Sequence, residues 1–147
     1  MVRFGRVVVA FLVGSVVATI LAVVAHNQMV LGALVGLGAT IPPDLWAATL
    51  LADFQGFAPS YGAVLAGTLL LGFLVAALLR RWIPLPPPLA YALAGAAATA
   101  VALGSMPLLL GIMPISGARS ALGFALQCGA GGIGGAVFGW LARRRSV

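Results

Sequence analysis

The sequence predicts an all-α integral membrane protein with four transmembrane helices, and three observations carry that prediction. Of the 147 residues, 63% are hydrophobic and 7% are charged, against about 25% charged in an ordinary soluble domain. The apolar residues come in continuous runs, without the alternation that a membrane β-barrel requires. The charges are eight arginines and two aspartates, with no lysine, and every arginine except Arg119 flanks an apolar run. Arginines in those places orient membrane spans. Despite a net charge of +6, the expected partner is the lipid bilayer and no nucleic acid. The one cysteine, Cys128, excludes an intrachain disulfide and a thiolate metal cluster.

The first span, residues 7–25, follows Arg3 and Arg6. Val23-Val24-Ala25 ends like a signal-peptide processing site, but nineteen apolar residues exceed the usual core of about 7–15, so a retained anchor is expected. Ala10, Gly14, Ala18, Ala22 and His26 recur every four residues. Such a small-residue face lets a neighbouring helix approach closely.

Residues 27–56 form an outer-face segment between the first and second spans. The apolar stretch Met29 to Thr40 would reach about 18 Å as a helix, short of a hydrocarbon core of about 30 Å. Pro42-Pro43 blocks helix continuation, and Asp44 opens a new short helix where a carboxylate suits the positive end of the dipole. On a helical wheel Trp46, Ala47, Leu50, Leu51 and Phe54 gather on one side, opposite Asp44, Ala48, Thr49, Ala52, Asp53 and Gln55. The expectation is a short amphipathic helix lying at the surface, or the returning arm of a re-entrant hairpin. A fifth span here would place three arginines inside and five outside, whereas four spans put all but Arg119 inside.

The second span, residues 57–79, carries Pro59 in its first turn, where a missing N–H costs nothing. It ends at Arg80-Arg81-Trp82. Residues 83–88, IPLPPP, make a stiff extended link to the third span, residues 89–110. Ala94 and Ala98 lie on a four-residue series there, and Pro107 should kink its outer end. The fourth span, residues 120–142, is the most glycine-rich. Arg119, Gly123, Gln127, Gly131, Gly135 and Gly139 form one series, a packing groove used within the monomer or as an oligomer seam. Gln127, about 12 Å along the axis from Arg119, should face a helix or a cavity and not lipid. The whole chain, 1–147, reads as a single transmembrane domain.

No catalytic constellation emerges. HExxH, CxxC, the phosphate-binding GxxxxGK loop and the GxSxG elbow are all missing from the sequence, so no enzyme activity, cofactor or metal site is expected. The polar residues His26, Asn27, Asp44, Asp53, Gln55 and Arg119 collect at the outer helix ends with Gln127 beneath them. This outer-face polar cluster suits a solute or ion entrance or a histidine switch, or else is the wet end of a bundle. Asp44 and Asp53, about 180° apart on one helix, cannot share a partner.

The functional expectation is a non-catalytic helix-packing or accessory subunit, homo-oligomeric or docked to a larger membrane complex. It is placed in the cell membrane, of bacterial inner-membrane type, with both termini cytoplasmic. The alternative is a small oligomeric channel or transporter that uses residues 29–54 as pore or gate. A transporter requires other backbones against Gly32, Gly36 and Gly38 and a polar path toward Gln127.

Overall fold

The computed structural model describes residues 2–112 and 114–143. Four helices follow one another: α1 (Val2–Gly36), α2 (Pro43–Leu79), α3 (Pro87–Leu110) and α4 (Ala121–Ala142), with one 3-10 turn at Ser116–Ala118 before α4. Each is long and apolar enough to cross a membrane, which makes this a multi-pass membrane protein. Successive helices run antiparallel, and α1, α2, α3 and α4 neighbour one another in a ring. The exterior is apolar, with Leu12, Val16, Leu71, Leu74 and Val101 all exposed, as lipid-facing surface should be.

The separate surface or re-entrant helix expected between the first two spans is not what forms. α1 runs unbroken through His26-Asn27-Gln28 to Gly36, and α2 starts at Pro43. Polar side chains do not terminate a helix; the terminators come later. Gly38, at φ +92°, takes the left-handed position of a C-terminal cap, in which Ala39 N–H donates to Leu34 O and Gly38 N–H to Val35 O. Pro43 then serves as an N-terminal helix residue without a lost bond. As a result Pro59 lies inside α2 and not in its first turn.

Two lengths follow. α1 has 35 residues and α2 37, about 52 and 55 Å at 1.5 Å per residue. α3 and α4, with 24 and 22 residues, reach only about 36 and 33 Å. Since His26 packs beside Gly117 at the start of α4, the excess of α1 and α2 lies on one side. Residues 27–56 therefore form a helical hairpin arm beyond the four-helix body. The wheel needs correcting here too. The half-buried positions of the α2 arm are Trp46, Thr49, Leu50, Asp53 and Phe54, while Ala47 and Leu51 are exposed, because the arm packs on α1 and Asn27 draws Asp53 inward.

α4 is the best-surrounded helix, and its glycines explain why. A Cβ at Gly135 or Gly131 would collide with backbone or side chain of α3, at Tyr91 and at Thr99 respectively, and one at Gly139 would lie 2.5 Å from Pro87 O. On the neighbouring face, a Cβ at Gly134 would lie 2.6 Å from Gly14 O and 2.7 Å from the Ala18 Cβ of α1. The helices meet backbone to backbone, where van der Waals contact is densest. The stripe Gly131, Gly135, Gly139 is thus occupied within the chain and is unavailable as an oligomer seam. Ala94 and Ala98 face α2, where Gly72 makes room for them.

The opposite end from the arm is built on rings, one from each helix. Phe73 stacks on Phe138 at 4.6 Å between centroids, and Tyr91 meets Phe138 edge-on at 4.7 Å and Phe73 at 5.5 Å. Phe11 closes the set, 6.3 Å from Phe73. Arg6, Arg80, Arg81 and Arg143 lie at this same end; Arg144 and Arg145 fall outside the described residues.

Candidate functional site: a polar node under the arm

Where the arm leaves the body, polar side chains from three helices converge. Gln127 of α4 is fully buried, and both ends of its amide are used: Tyr61 Oη donates to its Oε1 at 2.9 Å, and its Nε2 donates to Ala22 O at 3.0 Å. A fully buried amide without those partners would be costly in an apolar interior. The small side chain of Ala22 lets α4 come close enough for its carbonyl to serve.

His26 follows one turn further along α1. Its Nδ1 accepts a hydrogen bond from Gly117 N–H at 3.2 Å, which fixes the tautomer with the proton on Nε2. Its ring stacks on Phe57 at 4.5 Å, and Phe57 in turn stacks on Tyr61 at 4.9 Å. Gly117 must be glycine for this contact, because a Cβ there would lie 2.6 Å from His26 Cα. The turn before α4 is closed by Ser120, whose Oγ accepts from Gly123 N–H at 3.0 Å as an N-cap.

Asn27 ties the two strands of the arm together. It is 2% exposed and donates from Nδ2 to Asp53 Oδ2 at 2.9 Å, a charge-assisted bond. Its own Oδ1 is buried with no partner.

Of the expected polar cluster, then, the structure brings together His26, Asn27, Asp53 and Gln127. Asp44 stands exposed at the start of α2, nine residues and about 14 Å along the helix from Asp53. Gln55 and Arg119 are exposed as well. Sequence reasoning passed over Tyr61 and Phe57. The signal was available for Tyr61: a tyrosine inside a span carries a hydroxyl that has to find a partner.

Comparison with protein-family models, with curated proteins and with solved structures finds no match for this chain. What the site can do is therefore argued from its geometry alone. Among the described residues no three His, Cys, Asp or Glu side chains gather as a metal set. Tyr61, Gln127, His26 and the Asn27 amide nitrogen bond within the node, and the Asn27 Oδ1 is the buried acceptor left over among the described residues. Chemically the node is a latch: it joins α1, α2, α4 and the turn before α4 at one level.

Proposed function

We propose that this chain is a non-catalytic packing or accessory subunit of a cell membrane, which docks through its hairpin arm, in the first instance to a second copy of itself. The observation that carries the reading is where the apolar surface lies. Arm residues Leu34, Val35, Leu37, Leu45 and Leu51 are all exposed, Leu37 at 85%. Membrane helices tilt by up to about 40°, and α1 at that tilt still rises about 40 Å, beyond a hydrocarbon core of about 30 Å. Leucines standing above the core are not covered by acyl chains, and apolar patches of this kind mark interaction surfaces.

Orientation follows the positive-inside rule: the end bearing Arg6, Arg80, Arg81 and Arg143 faces the cytoplasm, as in a bacterial inner membrane, and the arm faces away. The transport alternative has less support. Residues 29–36 are the end of a continuous helix, and a Cβ at Gly32, Gly36 or Gly38 would meet nothing within 4 Å, so among the described residues no backbone closes around them.

Photo-crosslinking in intact membranes tests the reading. A photoreactive residue at Leu51 of the arm is expected to yield a product at twice the chain's 14.8 kDa, while one at Leu74 on the body yields lipid adducts alone. A discrete heavier product at Leu51 would move the reading from self-association to docking on another subunit. Lipid adducts alone at both positions would refute it.

A further inference from the structure

α2 and α3 approach closely at Gly72, where a Cβ would lie 2.7 Å from that of Ala98. Along this contact, over Gly72 and Ala98, runs a groove of about 640 Å³, open along one side and lined among others by Thr68, Leu71, Val75, Leu79, Leu93 and Ala97. Its wall is apolar except for Thr68 at the deep end and Arg80 at the mouth. There Arg80 closes it, with the guanidinium carbon 5.6 Å from the centroid of the Tyr91 ring and with Nε buried and, among the described residues, lacking a hydrogen-bond partner.

We propose that this groove holds one acyl chain of an anionic phospholipid from the leaflet at the arginine end, with Arg80 binding its phosphate. Three observations converge on that occupant. The first is depth: from Leu79 at the mouth to Thr68 is eleven residues, about 16 Å, and half of a hydrocarbon core of about 30 Å is about 15 Å. A single leaflet's acyl chain fits that length. The second is charge. The chain's two acidic side chains, Asp44 and Asp53, both lie on the arm at the far end, so no carboxylate side chain of the protein reaches Arg80, and Arg81 adds a second cation beside it. Basic pockets between spanning helices on this side of a membrane are the usual headgroup sites, and the guanidinium fork matches phosphate geometry. The third is the ring beneath: Tyr91 is packed by Phe73 and Phe138, so the arginine stands on a rigid platform.

The site separates from ordinary lipid contact by its dependence on headgroup and on one arginine. The detergent-purified protein is reconstituted into phosphatidylcholine vesicles containing a trace of either phosphatidylglycerol or phosphatidylcholine with a photoreactive group midway along one chain. Labelled peptides are then mapped by mass spectrometry. The phosphatidylglycerol reagent is expected to label the stretches 68–79 and 93–101 about fivefold more than the phosphatidylcholine reagent, the worth of one arginine at an anionic surface. Arg80→Gln should remove that preference, and Arg80→Lys should keep most of it, because lysine still binds phosphate as a point charge. Ala97→Phe, which fills the groove from an exposed position, should suppress labelling by both reagents there while leaving Leu12 and Val16 of α1 labelled as before. Arg80→Gln keeps a polar side chain over Tyr91 and removes the charge, and Arg80→Lys restores the charge with an altered shape, so the pair separates headgroup binding from packing and decides the matter. Equal labelling by the two reagents, or a preference that survives Arg80→Gln, overturns the proposal.

Discussion

Replacing Gly134 by alanine probes the backbone contact between α1 and α4 at its closest point. The new Cβ would stand 2.6 Å from Gly14 O and 2.7 Å from the Ala18 Cβ, where ordinary contact begins at 3.4 Å. Relief requires α1 to move out by the difference, 0.8 Å. A radial gap of that size forfeits about a quarter to a half of the dispersion well at each contact it opens, and overpacking of this kind costs about 1–3 kcal/mol. The same displacement stretches the bond from Gln127 Nε2 to Ala22 O from 3.0 Å past hydrogen-bonding range, adding about 1 kcal/mol. The expected total is about 2–4 kcal/mol, measured by reversible unfolding in mixed micelles. Gly129→Ala supplies the control, since a Cβ there meets nothing within 4 Å; it should match the parent or exceed it by up to about 1 kcal/mol, the helix-propensity gain of alanine over glycine. A loss below about 0.5 kcal/mol for Gly134→Ala would refute the backbone-to-backbone seam.

Three further outcomes are expected. Gln127→Leu should cost about 1–3 kcal/mol in the same unfolding assay, because it leaves the Tyr61 hydroxyl buried and unpaired; combining it with Tyr61→Phe should recover about 0.6–1.7 kcal/mol, the range of buried hydrogen bonds in membrane proteins. Asp53→Ala strands Asn27 and should speed hydrogen exchange across residues 27–56 while the body helices keep their protection, since the lost bond holds only the arm. Gly38→Ala forces a Cβ into φ +92° and should cost about 1–2 kcal/mol, visible as faster exchange at Leu37 to Ala39 with no change at Gln127.

Much of this architecture was written in local chemistry. The breaks at Pro42-Pro43, at residues 83–88 and around Gly111 to Ser120 fall where proline, glycine or a serine cap imposes them, and these act over a few residues. The end of the first span was misplaced for a physical reason. His26, Asn27 and Gln28 looked like the edge of the membrane, yet each is compatible with a helix, and the bonds that satisfy His26 and Asn27 come from Gly117 and Asp53, 91 and 26 residues away. The glycine series of α4 was legible as a packing face, but its partner was not. Choosing between a seam inside the chain and one between chains needs the position of Tyr91 and Pro87, which no spacing in α4 contains. The groove beside Arg80 was invisible in the same way, because it is made by the space two helices leave between them.

The helices do not hold together in one manner. α1, α4 and α3 are joined by glycine seams in which main chains nearly touch, and such seams tolerate no sliding, because each residue fills the only space its neighbour leaves. α2 is fixed differently. It approaches its neighbours closely at Gly62, against Thr19, and at Gly72, against Ala98; elsewhere it is held by large side chains, Tyr61 at the node and Phe73 in the ring cluster. The two seats are twelve residues apart, about 18 Å along the axis; the arm lies beyond Tyr61, and the groove wall runs from Thr68 past Phe73 to Arg80. Between the arm and Tyr61 stands Pro59, inside the helix, and its missing N–H removes a backbone bond there, so the arm and the groove wall belong to separately held parts of one helix.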